Sequence, residues 1–180
     1  MSWALRVPLL ADESLSSWLA RAALRQGCDP LVLTGTLWPG WRVWTRDIDR
    51  EIPITRMGPL VSASGMPSSE FQNAALRGIC ERVAGYPLPE NRTWPWLLTL
   101  GSRNRTRHGG QQCCPLCLAQ DARPYYRRAW RLAWQVGCIS HGVPLVDQCP
   151  ACQAPIEPHR LVAEDTHLGQ CARCRFDWEL

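Results

Sequence analysis

Apolar residues recur every three or four positions between Ser14 and Gln26, which predicts an amphipathic helix. Asp12 or Ser14 can cap its start by accepting a backbone hydrogen bond, and Gly27 can end it. The predicted apolar face holds Leu15, Trp18, Leu19, Ala22 and Ala23, and the residues expected to face away are Ser16, Ser17, Arg21 and Arg25.

A second, shorter helix is predicted to follow after a tight turn. Asp29 precedes Pro30, which suits the first position of a helix, and Pro39 with Gly40 ends the apolar run. The chain is therefore expected to begin with two short helices.

Residues 60 to 83 contain two apolar runs separated by a turn at residues 65 to 67, a pattern typical of helix, turn, helix. Pro59 would cost about 3 kcal/mol inside a helix, so the first helix is expected to begin near Gly58. Two interpretations stay open. One is a DNA-binding helix-turn-helix with Phe71–Arg82 as recognition helix, and the other is a helical hairpin packed as core.

Eight metal-ligand candidates in the last third of the chain form four pairs, each with two residues between its members. A gap of two lets a tight turn aim both side chains at one ion, and two such turns complete a tetrahedral shell. Four protein ligands leave no position for an activated water, so the spacing predicts two structural zinc ions. The pairs are Cys114 with Cys117, Cys138 with His141, Cys149 with Cys152, and Cys171 with Cys174.

The pairing of these four turns has two alternatives. Sequential pairing, which we favour, joins the first turn to the second and the third to the fourth; interleaved pairing joins the first to the third. Cys113 offers a register alternative to Cys114, whereas Cys28 and Cys80 are expected to be small buried hydrophobic residues.

The fold class predicted from these patterns is mainly α with small zinc-ribbon or zinc-finger modules. Prolines, a polar run and paired glycines between residues 86 and 112 are typical of a linker. We therefore predict a helical domain with a helix-turn-helix and linker at residues 1–110, followed by two tandem zinc-binding modules at residues 111–180. The apolar residues 94 to 100 are expected to pack on the helical domain.

All 20 basic residues are arginines, so the chain has no lysine. This excludes functions that need a lysine, such as a phosphate-loop NTPase. The net charge of +4 is concentrated at residues 101 to 135, which hold seven arginines and one acid. Guanidinium groups pair bidentately with phosphates or carboxylates, so six of these residues are expected to bind nucleic acid or a partner. They are Arg103, Arg105, Arg107, Arg127, Arg128 and Arg131.

Tyr126, Trp130 and Trp134 recur at intervals of four, which predicts one stripe of a helix packed against the metal module. No stretch approaches the roughly 18 to 20 apolar residues that a membrane span needs, so no membrane association is expected.

Two stretches of the sequence resemble the TniQ family, which serves in transposon target selection. One is PLLADESLSSWLARA at Pro8–Ala22; the other is the ordered series CPLC, PYYRRAWRL, CISHGVPL and CPAC between Cys114 and Cys152. The resemblance implies a helical N-terminal part with a helix-turn-helix, followed by paired zinc-binding modules.

The resemblance also implies a non-enzymatic adaptor that recruits or caps an AAA+ regulator ATPase, TnsC or TniB, on target DNA. The expected partners are this ATPase, DNA, and a guide RNA or CRISPR effector, in the bacterial cytoplasm at the nucleoid. DNA-reading members tend to be longer, so a bridge between other proteins is expected. The alternative is a freestanding zinc-containing helix-turn-helix regulator that binds DNA or RNA, and a zinc hydrolase or nuclease has the least support.

Overall fold

The computed structural model describes residues 2–90, 92–100 and 110–178. Within these ranges the chain is mainly helical and has no sheet, since its strand pairing consists of isolated β-bridges. None of the described helices is long and apolar enough to cross a membrane. The α-helices are α1 (Leu15–Arg25), α2 (Pro30–Leu37), α3 (Ile54–Ser64), α4 (Ser68–Ala74), α5 (Arg77–Ala84) and α6 (Pro115–Gln120).

Helix α1 is the centre of the molecule. The side chain of Ser14 caps it by accepting from the backbone N–H of Ser17, and Gly27 follows its end with φ of +72°, as predicted. The expectation that one face is solvated was wrong for Ser16, Ser17 and Arg21, because every residue from Leu15 to Ala23 is buried, whereas Arg25 is exposed as expected. The polar side chains of α1 are buried because acidic partners meet them: Asp49 binds Ser16, and Glu13 binds both Ser17 and Arg21.

The predicted second helix is α2, with Pro30 at its first position. Trp18 of α1 contacts the rings of Trp3 and Phe71, at centroid distances of 5.5 and 5.1 Å. Helices α1 to α4 thereby share one apolar core.

Helix α3 begins at Ile54, four residues earlier than Gly58, and contains Pro59. The predicted start was wrong, and the glycine before the proline removes one of the clashes that oppose a helix here. A proline ring normally clashes with the Cβ of its predecessor in helical conformation, and Gly58 has no Cβ. The helix ends at Gly65, whose φ is +69°.

The expected recognition helix Phe71–Arg82 is not continuous. Helix α4 ends at Ala74 and α5 begins at Arg77, because the backbone N–H groups of Leu76 and Arg77 donate to the carbonyls of Asp49 and Arg50 instead of to the preceding turn. Phe71 is buried in the core. Helices α3 and α4 follow the core-hairpin interpretation, since Leu60 and Phe71 are buried in one apolar core.

Part of the predicted linker packs on α5, in agreement with its apolar composition. Trp94 and Leu97 are buried in a cluster with Leu76, Cys80 and Leu132.

The predicted helix through Tyr126, Trp130 and Trp134 is reduced to one 3-10 turn at Arg128–Arg131. The N–H groups that would continue it bind elsewhere: Arg128 donates to the carbonyl of Asp12, and Ala133 donates to that of Trp96. Tyr126 and Trp130 are buried as expected, whereas Trp134 is 43% exposed.

The N-terminal helices and the cysteine-rich part are joined by buried hydrogen bonds. The N–H of Ser14 donates to the carbonyl of Tyr126 at 2.9 Å, and the N–H of Tyr126 donates to Ser17 Oγ at 2.9 Å. Ala20 of α1 packs in the same apolar cluster as the cysteines. The division at residue 110 stays a prediction.

Candidate metal centres

The first group of ligand candidates joins Cys114, Cys117, Cys138 and His141, as sequential pairing predicts. The Nδ1 atom of His141 lies 3.4 Å from the sulfurs of Cys114 and Cys117 and 3.5 Å from that of Cys138. The Cys117 and Cys138 sulfurs are 3.5 Å apart. Three sulfurs and one nitrogen thus surround one point.

The second group joins Cys149, Cys152, Cys171 and Cys174. The sulfur of Cys149 lies 3.7 Å from that of Cys174, and the sulfur of Cys152 lies 3.7 Å from that of Cys171. This group is more accessible than the first, because Cys174 is exposed.

Both groups match the dimensions of tetrahedral zinc. Ligand bonds of about 2.3 Å to sulfur and about 2.0 Å to nitrogen place two sulfurs about 3.8 Å apart and a sulfur and a nitrogen about 3.5 Å apart. The sulfur separations are too long for a disulfide, whose bond is about 2.05 Å. Four cysteines, or three cysteines and one histidine, are donor sets of structural zinc, and the four residues of each group would hold the ion.

Three of the four metal-ligand turns share one backbone geometry, seen clearly at Cys138. Its N–H donates to the carbonyl of the residue five positions later, Val143, and its carbonyl accepts from the N–H four positions later, that of Gly142. The same pair of bonds occurs from Cys149 and from Cys171. We call these three turns the knuckles. Each aims its two ligand side chains inward from one closed loop.

Each knuckle has a left-handed residue four positions after its first ligand, directly following the second. That residue is Gly142 in the first knuckle, with φ of +67°, but Gln153 and Arg175 in the others, with φ of +58° and +63°. Glutamine and arginine carry no turn signal, so only the cysteine spacing could reveal these two turns from sequence.

The Cys114 and Cys117 pair is held by a helix start instead. Cys114 is the N-terminal cap of α6, and Cys117 lies in its first turns. At the end of α6, Gln120 Oε1 lies 2.8 Å from Nε2 of His141. An acceptor there fixes the ring so that Nδ1 faces the sulfurs.

Burial and hydrogen bonding shift the pKa values of two thiols of the first group, those of Cys117 and Cys138, in opposite directions. Burial raises the pKa of Cys117 to about 12. Burial also raises the pKa of Cys138, but hydrogen bonds from the backbone of His141 and from neighbouring thiols outweigh it, and the pKa of Cys138 is lowered to about 7. Cys138 is the thiol that this environment favours as thiolate.

The cysteines outside the two groups are structural. Cys113 is fully buried beside the first group, and burial raises its pKa well above the ordinary value. The backbone N–H and carbonyl of Cys113 both bond to the backbone of Val146. With this pairing, the ligand candidate is Cys114 and not Cys113. Cys80 is buried as predicted, whereas Cys28 is only half-buried.

The arginines predicted to bind a partner have different surroundings. Arg131 is fully buried and pairs with Asp47 and Asp49, so burial contradicts the expectation that it contacts a partner. Arg127 forms two hydrogen bonds with Asp121, and Arg128 donates to the carbonyl of Asn73 at 2.6 Å. Arg103, Arg105 and Arg107 lie outside the described residues.

Comparison with known families identifies one match. The family model described as TniQ matches residues 4–145, a range that includes α1 and the whole first metal-ligand group and stops before the second. No curated protein matches the chain.

Proposed function

The chain belongs to the TniQ family, whose role is that of an adaptor in transposition, and we propose that it recruits or caps an AAA+ regulator ATPase of the TnsC or TniB type on target DNA. In this proposal it couples target selection, including selection by an RNA-guided CRISPR effector, to the transposase. It acts at the bacterial nucleoid and catalyses no reaction itself.

The observation that supports an adaptor best is that both metal-ligand groups are complete shells of protein donors. A catalytic zinc site keeps one position for water or substrate, and each of these groups has four protein ligands instead. The two zinc ions would therefore stiffen the C-terminal part into a platform. Binding at such shells contributes roughly 10 to 16 kcal/mol to the folding of small modules.

We propose that exposed apolar residues near the first metal-ligand group in the sequence form the surface for the ATPase. Trp96 and Trp134 contact each other at a centroid distance of 6.4 Å, and both are largely exposed. Val136 and Ile139 follow with 74% and 90% exposure. We call Trp96, Trp134, Val136 and Ile139 the apolar face. Exposed tryptophans are typical anchors of protein interfaces.

In this proposal, the arginines outside the core bind nucleic acid or an acidic protein surface. Arg127 and Arg128 remain partly accessible, and Arg103, Arg105 and Arg107 belong to the same basic segment of the sequence. Arg131 is not included, since it is fully buried and its guanidinium group does not reach the surface.

The freestanding regulator is the less favoured alternative. A recognition helix lies in a DNA groove as one continuous helix, and here the segment Phe71–Arg82 is divided between α4 and α5.

The test is co-purification of the intact chain with the ATPase whose gene adjoins its own, with ATP, with ADP and without nucleotide. Capture in the ATP state, and its loss in Trp134→Ser, would support the proposal. Ile54→Ser is the matched control, because Ile54 is 73% exposed but lies on α3. Absence of a complex in every nucleotide state would contradict the proposal.

A further inference from the structure

A cavity of about 370 Å³ lies between the end of α1 and two loops of the C-terminal part. Its size suits a ligand of nucleotide dimensions. One wall comes from residues 6 to 8 and α1, and the other from residues 122–124 and 166–168. It shares no residue with the metal-ligand groups or with the apolar face.

The lining is strongly cationic. Arg6, Arg25 and Arg123 line the cavity, and all three are exposed. Among the described residues none of these three guanidinium groups has a hydrogen-bond or ion-pair partner. No carboxylate belongs to the lining within the same part of the chain. Three positive charges without a partner in the described part of the chain therefore line one cavity that is open to solvent.

A fourth arginine in the cavity lining is held in place by hydrogen bonds. Arg21 is buried, donates to both carboxylate oxygens of Glu13, and donates to the carbonyl of Pro8 at 2.6 Å. Glu13 compensates its charge, so Arg21 shapes the cavity while the three exposed arginines supply the net charge.

Hydrogen bonds hold both walls in place. The side chain of Gln26 binds the backbone of Leu5 twice, at 2.7 and 3.2 Å, which keeps the segment of Arg6 beside the end of α1. On the other wall, the hydroxyl of Tyr126 donates to the carbonyl of Leu168 at 3.0 Å. The cavity is thus preorganised by buried or tethered groups.

The backbone carbonyls at the C-terminal end of α1 do not bind these arginines. The carbonyls of Ala22, Ala23 and Leu24 accept from the backbone N–H groups of residues 26 to 28. Arg25 is therefore free to meet a ligand.

We propose that this cavity binds the phosphate of a nucleoside phosphate, either a free nucleotide or a nucleotide within a nucleic acid strand. Phosphate carries more charge than a single carboxylate and accepts bidentately from guanidinium groups. The apolar residues Pro8, which is exposed, and Leu24, which is partly exposed, give the nucleoside a surface to pack on. This site is independent of the proposed contact with an ATPase.

The test is calorimetric titration of the intact zinc-loaded chain with adenosine monophosphate, inorganic phosphate, a 12-nucleotide single strand and a glutamate-rich peptide. One nucleotide should bind per chain, and Arg25→Gln or Arg123→Gln should each weaken binding about tenfold, as expected for a lost charge-assisted hydrogen bond. Arg46→Gln is the matched control, since Arg46 is exposed and lies outside the cavity. Amide resonances of residues 24–26, 122–123 and 166–168 should shift on binding.

Comparing the affinity for the nucleotide with the affinity for the strand distinguishes the two possible sources of the phosphate. Tighter binding of the strand would support a nucleic acid, and equal binding would support a free nucleotide. The proposal is overturned if no phosphate probe binds, if inorganic phosphate binds as tightly as the nucleotide, if the peptide binds and the nucleotide does not, or if the cavity variants behave like Arg46→Gln.

Discussion

Arg131 forms a bidentate ion pair with Asp47, a residue 84 positions earlier, with N–O distances of 2.7 and 3.1 Å. A second carboxylate, that of Asp49, binds the same guanidinium and also accepts from Ser16 of α1. Arg131 therefore connects the metal-bearing part to the helical core. Burial opposes its charge, but the two aspartates prevail and raise its pKa.

Removing this arginine should strongly destabilise the protein. In Arg131→Met two aspartates lose their cation while one of them stays buried, and breaking such a pair costs about 3–5 kcal/mol. Urea unfolding in excess zinc measures the loss. Arg128→Gln is the control, because Arg128 makes one partly exposed bond to a carbonyl and should change stability little. Equal effects of the two substitutions would contradict the role given to Arg131.

The ligand assignment of the first group can be tested by counting ions. Cys117→Ser should retain one zinc instead of two in native mass spectrometry, because its shell loses a thiolate. Cys113→Ser and Cys80→Ser, each replacing a buried cysteine outside the groups, should retain two. Loss of an ion from Cys113→Ser with retention of both in Cys117→Ser would mean that the register is wrong.

The knuckle geometry predicts that removing a glycine from one knuckle and introducing one at the equivalent position of another have opposite effects on stability. Gly142→Ala forces a Cβ into the left-handed region and should cost about 1–2 kcal/mol, although no atom lies within 4 Å of the added carbon. Gln153 already occupies that region, so Gln153→Gly should leave stability unchanged or raise it. Thermal midpoints of the zinc-loaded variants measure both. A decrease of the same size in both would contradict this geometry.

His159 gives the fold a pH dependence. Its ring stacks on Trp44 at a centroid distance of 5.2 Å, and burial, aided by Arg160 and opposed by Glu157, lowers its pKa. The unfolded chain then binds a proton more readily than the folded chain. The contribution of His159 to stability is complete above its ordinary pKa of 6.5 and declines as the pH falls from there through the lowered folded-state pKa.

The measurement is the unfolding free energy of wild type and of His159→Phe between pH 7.5 and about 5, with the comparison drawn between the two proteins. Acid also weakens zinc binding, and both proteins share that effect. The stability of wild type should fall more than that of the variant. Parallel curves would mean that His159 does not titrate differently on folding.

Local patterns allowed part of this fold to be predicted from sequence. The cap at Ser14 and the start of α2 at Pro30 depend on residues close together in the chain, and the grouping of the eight metal-ligand candidates was predicted from four two-residue gaps; all three agree with the structure. Cysteine spacing was sufficient because a two-residue gap constrains geometry more strongly than composition does.

Two of the errors came from distant partners. Ser16 and Ser17 belong to the polar side of a helical pattern, and they are buried because Asp49 and Tyr126, 33 and 109 residues away, bind them. The break between α4 and α5 depends on carbonyls more than 25 residues earlier. Tertiary hydrogen bonds overrode local periodicity in both cases.

The central claim is that two closed zinc shells, made of seven cysteine sulfurs and one histidine nitrogen, stabilise a docking platform. X-ray absorption at the zinc edge of the purified chain tests it most directly. The account predicts two ions per chain, with sulfur at about 2.3 Å, a minor nitrogen contribution at about 2.0 Å and no bound water. Fewer than two ions, or an oxygen ligand from water in either shell, would contradict it.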